Sequence, residues 1–200
     1  MNIEKKGQNK MSLKLLCYTK WLRFFTRTYK DKNGQERTWD FCSRKENPDE
    51  ITTRADAVVV VPFLEDGRMV LIRQFRPSIN NWVIENVAGL VDKNDPDIVD
   101  SAMREMLEEV GLKVRELKVY HHVLYNSVGL TDESVSYVFC KAKGEPHTKN
   151  NEESENIEIL AIDRQQAKNI CDGYITTKIS AKCWLVLQAY ANGFDWFEME

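Results

Sequence analysis

Between Gly89 and Leu112 the chain reads GLVDKNDPDIVDSAMREMLEEVGL, and no other stretch limits its fold as tightly. Residues 98–110 follow helical spacing, with Val99, Ala102, Met103, Met106 and Val110 on one side and Gly111 where a helix-ending glycine would stand. Each helical residue turns the side chain by about 100°, so Glu108 and Glu109 lie about −60° and +40° around from Glu105. Three carboxylates then crowd one narrow face, about a third of a turn from the apolar side. Like charges at that spacing repel, and packing gives no reason to gather them. A divalent cation does, because hard oxygen ligands on successive turns can share Mg2+. Arg104 flanks the face, where it can pair with a carboxylate and fix its rotamer. Taken alone, EMLEE usually means no more than a solvated acidic helix face, so its surroundings decide.

Those surroundings are rich in strands. Residues 1–12 (MNIEKKGQNKMS) read as a disordered tail, with Met11 an alternative start. From Lys20, WLRFFTRTYK and QERTWDFCSR flank Asn33-Gly34, a hairpin signal because both residues tolerate positive φ. Residues 46–50, around Pro48, read as a linker. The division expected is therefore a tail and β-hairpin subdomain over 1–50 and a main domain over 51–200. In the latter, Ala55–Pro62 and Met69–Phe75 are strands joined at Asp66-Gly67, and Trp82–Val87 is a shorter strand before a loop from Gly89 to Asp97. Val114–Tyr125 and Val135–Ala142 are strands joined through NSVGLTDE. The polar loop KGEPHTKNNEESEN leads into the strand Ile157–Ile162, Asp163 can N-cap a short helix to Cys171, and Thr177–Ala191 is a final amphipathic helix. The class is α/β, and 200 residues suffice to bury a core without disulfides.

Composition excludes some roles. With 28 basic and 31 acidic side chains the net charge is −3, which argues against a dedicated nucleic-acid or membrane-surface binder. The average hides a basic N-terminus, net +6 over residues 1–40, and seven acids against two bases in Gly89–Leu112. Cys17, Cys42, Cys140, Cys171 and Cys183 form no CxxC pair, so free thiols in a cytoplasmic setting are expected. The apolar run Ala57–Leu64 is interrupted by Pro62 and too short to cross a bilayer, and there is no signal-peptide core. His121, His122 and His147 lack the spacing of a metal triad and read as structural or exposed.

Gly89, preceded by Val87-Ala88, together with Arg104, Glu105, Met106, Glu108, Glu109, Gly111 and Leu112, resembles the box G-x5-E-x7-R-E-U-x-E-E-x-G-U of the Nudix hydrolases, where U is bulky and aliphatic. The interval from Gly89 to Arg104 is one residue longer than in the box, and Asp95 or Pro96 stands where its first Glu would. The resemblance implies a Nudix α/β/α sandwich with a mixed sheet, plus an N-terminal antiparallel hairpin or sheet used in dimerisation. It also implies hydrolysis of a nucleoside diphosphate linked to another group, with Mg2+ or Mn2+ held by Glu105, Glu108, Glu109 and the carbonyl of Ala88, and Glu109 among the catalytic residues. The chemistry is coherent: cations neutralise a pyrophosphate and acidify water, and a nearby carboxylate can act as general base.

Four further segments resemble the ADP-ribose and nucleotide-sugar pyrophosphatase branch of that family: RTWDFCSR (37–44), LIRQFRP (71–77), WVIENVAGLV (82–91) and SVGLTDE (127–133). The resemblance implies that Trp39 stacks on a base, that Asp40 and Arg44 add polar contacts, and that Arg76 reaches the diphosphate or ribose. It places Glu85 beside substrate or metal and makes Glu133 a further substrate contact. An isolated strand aromatic is more often core, and Glu85 and Glu133 could be ordinary exposed acids. Arg73 and Arg76 point to opposite strand faces, and Arg76, just before Pro77, is preferred. In this branch the loop before Ile157 supplies the general base, here Glu153 or Glu155, although such a loop is usually a solvated connector. The reading is Mg2+-dependent hydrolysis of ADP-ribose to AMP and ribose 5-phosphate by a homodimer in which Trp39 or Trp21 of one subunit completes the partner's base pocket. Val128, where ADP-ribose hydrolases carry proline, keeps GDP-mannose or another nucleotide sugar open as the substrate. A non-catalytic nucleotide-sensing module is the alternative of another class, opposed by the intact REMLEEVGL. An RNA-decapping enzyme using the basic N-terminus is the least favoured, and no nucleic-acid or membrane partner is expected.

Overall fold

The Asn33-Gly34 pair sits in a hairpin: β2 (Arg23–Lys30) and β3 (Glu36–Ser43) pair antiparallel, Lys30 opposite Glu36, around a turn in which Gly34 takes φ 78°. Asp31 fixes the turn, its carboxylate accepting from the backbone N–H groups of Asn33 and Gln35 at 2.9 and 3.0 Å. A strand that the sequence pattern did not reveal, β1 (Ser12–Tyr18), pairs antiparallel with β2 and completes a sheet of order β1-β2-β3. The computed structural model describes residues 12–50, 53–153 and 155–198, without the side chains of His121 and His122. The expected disordered tail, Ser12 apart, and any reading of that histidine pair therefore lie outside the described residues. The chain divides into two compact units, Met1–Thr53 with Leu124–Ser134, and Arg54–Val123 with Val135–Glu200.

The larger unit is built on β4 (Ala57–Phe63) and β5 (Met69–Arg76). Val58 and Val60 enter one apolar core and Val61 the other, while Val70 and Ile72 alternate in the same way with Met69 and Leu71. A strand covered on both faces reads as an unbroken apolar run, which is why these two were plain in the sequence. Around them stand β6 (Asn81–Glu85), β7 (Val87–Leu90), β8 (Lys113–Tyr125), β9 (Ser134–Lys143), β10 (Ile157–Ile162) and β11 (Lys178–Ile179). The order is β11-β6-β5-β4-β9-β8, with β10 also on β5 and β7 also on β4. The β4–β9 and β11–β6 pairs are parallel, so the sheet is mixed. Helix α1 (Ile98–Val110) covers one face through Ile98, Ala102, Met106 and Val110. On the other, α2 (Arg164–Cys171) contributes Ala167, and α3 (Ala181–Ala191) contributes Cys183, Val186, Leu187 and Tyr190. The result is the expected α/β/α sandwich.

Three details depart from expectation. The single strand Trp82–Val87 is two strands, broken at Asn86. Helix α3 starts at Ala181 rather than Thr177, because Lys178 and Ile179 pair with Val83 and Ile84 and Ser180 then caps the helix by accepting from Cys183 N–H at 3.3 Å. Met103 is 42% exposed, so it belongs to the outer surface of α1, not to its apolar side.

Candidate active site on the first helix

Helix α1 is closed at both ends by its own sequence. Asp97 accepts from the N–H groups of Val99 and Asp100 while Asp100 reaches back to the Asp97 N–H, a reciprocal capping box. Gly111 takes the left-handed conformation at φ 68° and returns its N–H to the Met106 carbonyl. Between these ends Glu105 and Glu109 are both buried, facing the segment Ala88-Gly89 of β7. The Ala88 N–H donates to Glu109 Oε2 at 3.1 Å. A Cβ on Gly89 would fall 1.9 Å from the Glu105 carboxyl, so any larger residue there must displace that side chain.

Arg104 organises the acids. Its guanidinium donates to Glu105 Oε1 at 2.7 Å, Glu108 Oε2 at 2.8 Å, Asp95 Oδ2 at 3.1 Å and the Leu90 carbonyl at 2.9 Å. The Asp95 carboxylate also accepts from Ser101 Oγ at 2.8 Å. Burial alone would raise the Asp95 pKa, but the bonds from Ser101 and Arg104 outweigh it and hold the group low. Arg54, for which the sequence carried no signal, donates to the backbone carbonyls of Asp95 and Asp97 at 2.6 and 3.3 Å. The lengthened loop is thus tied down at its far end, and of Asp95 and Pro96 it is Asp95 that meets the helix arginine.

Burial pushes Glu105 up to about 7 against the pull of Arg104, with Glu108 and Glu155 adding repulsion. It pushes Glu109 up to about 8, opposed by the Ala88 N–H and Arg76 and reinforced by the charges of Glu105 and Glu155. Glu155 is half-buried, whereas Glu153 is exposed. Arg76 donates to Glu85 Oε2 at 2.5 Å. Ile72 and Gln74 precede Arg76 on the strand face that α1 covers, and Glu85 is registered opposite Ile72. Arg73 turns the other way, to Glu158 at 2.8 Å. Arg76, Glu85, Ala88, Glu105, Glu108, Glu109 and Glu155 therefore belong to one neighbourhood. Among the described residues no three His, Cys, Asp or Glu side chains form a ready-made metal cage, and Arg104 occupies one oxygen each of Glu105 and Glu108. The donor set nevertheless suits a hard cation: carboxylates on successive turns, two of them buried and raised in pKa chiefly by that burial.

The remaining candidates lie in the smaller unit. Arg44 pairs with Glu133 at 2.7 Å, and Glu133 also accepts from the Asn126 amide at 2.7 Å. Trp39 is half-exposed, while Phe41, two residues along the same face, stacks on Phe25 at 5.7 Å and is buried. Trp39 lines a cavity of about 290 Å³ with Arg27, Phe41, Tyr125, Val128 and Asp132. Asp40 points to the opposite face of β3 from Trp39. His147, expected to be structural or exposed, covers Gly111 and sends its N–H to the Val110 carbonyl.

Comparison with known proteins adds the family context. Residues 53–175 match the model of the NUDIX domain. The chain is 35% identical over 111 residues to the ADP-sugar pyrophosphatase of Mus musculus, covering 51% of this chain and 47% of that one. It is 34% identical over 128 residues to the ADP-ribose pyrophosphatase of Saccharomyces cerevisiae, covering 60% and 52%. The chain thus spans about half the length of these two relatives. A crystal structure described as an ADP compounds hydrolase shares the fold, with TM-score 0.68 and 16% identity over 96% of this chain and 99% of that one.

Proposed function

The chain belongs to the Nudix family, and from that premise we propose that it is a pyrophosphatase that hydrolyses ADP-ribose to AMP and ribose 5-phosphate with the help of Mg2+ or Mn2+. The observation that carries this reading is the pair of buried carboxylates, Glu105 and Glu109, set against Gly89 and Ala88 with Arg104 and Arg76 beside them. The names of the relatives point to an ADP-linked substrate.

Glu105, Glu108 and Glu109, with the Ala88 carbonyl, would hold the cation. When bound, it supplies neutralisation of the diphosphate and acidification of water. Ala88 fixes Glu109 through its N–H, and Arg104 fixes Glu105 and Glu108. Arg76, kept in place by Glu85, is the guanidinium for a phosphate oxygen. Glu155 is the better general base, because its charge already bears on Glu105 and Glu109. It takes one proton from water as the oxygen bonds to phosphorus and the bridging P–O bond breaks, leaving the electron pair on the departing phosphate. In the smaller unit, the Trp39 cavity is the candidate for the nucleobase, with Arg44 and Glu133 as candidate polar contacts, while Asp40, on the opposite face of β3, does not line that cavity. We further propose a homodimer in which that unit serves the partner subunit.

The test is a substrate panel of ADP-ribose, GDP-mannose, UDP-glucose, diadenosine polyphosphate and capped RNA, each with Mg2+ and with Mn2+. ADP-ribose turning over fastest supports the reading. GDP-mannose as the preferred substrate moves the activity to other nucleotide sugars, and no hydrolysis of any member leaves a nucleotide-sensing module.

A further inference from the structure

The last turn of any α-helix leaves carbonyls without partners. In α1 these carbonyls meet one loop. Asn150 Nδ2 donates to the Leu107 carbonyl at 2.9 Å, and the His147 N–H donates to that of Val110 at 2.9 Å. The Asn151 amide, turned with its nitrogen to the helix, reaches the Glu108 carbonyl at 3.2 Å and that of Thr148 at 2.8 Å. The His147 imidazole lies so close over Gly111 that a Cβ there would be 2.3 Å from the ring. Downstream the loop closes on itself: the Glu155 N–H donates to the Glu152 carbonyl at 3.0 Å, and Glu155 Oε2 accepts from the Glu152 N–H at 3.1 Å. It then joins the sheet, with the Phe75 N–H donating to Asn156 and Ile157 registered opposite Gln74.

The segment that caps the carboxylate helix is therefore the segment that carries Glu155. We propose that Asn150, with His147 and Asn151 beside it, is a positioning residue that locks Glu155 to the C-terminal turn of α1 and so sets its placement relative to Glu105 and Glu109. The inference deepens the hydrolase reading and rests on it for the role of Glu155, though not for the tether. Asn150 is exposed and touches none of the carboxylates itself. Its loss should leave the fold in place and loosen one loop.

Two measurements test this. In the first, kcat and KM for ADP-ribose are compared for Asn150→Asp, Asn150→Ala, Glu155→Gln and the corresponding double variants. Each Asn150 variant should lower kcat roughly 10- to 100-fold, as expected when a reacting group is misplaced by about an ångström, with KM little changed. In the Glu155→Gln background the same substitution should change kcat by less than about twofold, because a residue acting through Glu155 has nothing left to position. Equal losses in both backgrounds, or a Glu155→Gln variant as active as the parent, overturn the proposal. The second measurement is amide hydrogen exchange on the free protein. Asn150→Asp should speed exchange at Asn151, Glu152, Glu155 and Phe75 and leave β4 unchanged. Unchanged loop exchange overturns the tether whatever the substrate. A parent protein inactive on the whole panel would sink the hydrolase reading alone, and the exchange result would still decide the tether.

Discussion

Glu109 carries the sharpest consequence at the scale of a single residue. Glu105 and Glu109 hold their protons to about 7 and about 8, against an ordinary value of 4.5, chiefly because burial penalises their charged forms. Between those limits the folded chain binds protons that the unfolded chain has released, so stability falls as pH rises from about 4.5 through 8. In chelator, the melting temperature should therefore drop between about pH 5 and pH 8.5. Glu109→Gln should flatten that drop and melt higher than the parent at the alkaline end, while losing turnover. Mg2+ should restore the parent at alkaline pH by binding the folded state and do much less for the variant. A variant that melts lower than the parent at alkaline pH would show that the ionised carboxylate is stabilised there and the account of its burial wrong. Gly89 makes the complementary case. Because its Cβ would overlap the Glu105 carboxyl, Gly89→Ala must displace that side chain. Activity should fall by about 100-fold or more, as for a mispositioned catalytic group, with the far-ultraviolet circular dichroism spectrum retained. Activity within a few-fold of the parent would mean that Glu105 has no fixed task.

At the scale of the element, legibility tracked how local the cause was. Helix α1 was readable to its bounds because Asp97, Gly111 and the apolar spacing all act within the segment, and β10 and α2 were readable for similar reasons. Met103 was misplaced because its position borders the apolar side, and only the packing of the sheet shows where that side ends. Strand β1 has little local signature, being exposed along most of its length, and exists through its pairing with β2. The same division runs through the site. The three glutamates and Gly89 are legible as spacing, which also narrows the loop position to Asp95 or Pro96, whereas Arg54 and Asn150 act through loop conformations that no spacing encodes. A local cause also gives a local prediction: Asp97→Ala removes the capping box and should cost about 1 kcal/mol, lowering the melting temperature by roughly 2–4 °C. A loss much larger than that would mean Asp97 holds more than its own helix.

At the scale of the whole molecule, the proposed dimer connects the two units. Among the described residues no helix is long and apolar enough to cross a membrane, yet the N-terminal sheet and its turn expose Leu15, Leu16, Tyr18, Trp21, Leu22 and Phe24. Apolar patches of that kind mark association surfaces, and β1 adds an edge open to pairing. In the proposed dimer a second copy covers these side chains and Trp39 serves the partner's carboxylate site. Complementation separates that arrangement from a site completed within one chain. Trp39→Ala and Glu109→Gln homodimers should each be nearly inactive. When they are unfolded together and refolded, a mixed dimer in which Trp39 acts across the interface has one site with both residues intact. Random pairing should then restore about a quarter of the parent activity, since half of the dimers are mixed and each holds one competent site of two. If Trp39 acts within its own chain, no site in any dimer is complete and the mixture stays inactive. A parent that sediments as a monomer at working concentration would remove the dimer altogether, and Trp39 would then have to serve its own chain or take no part in binding the base.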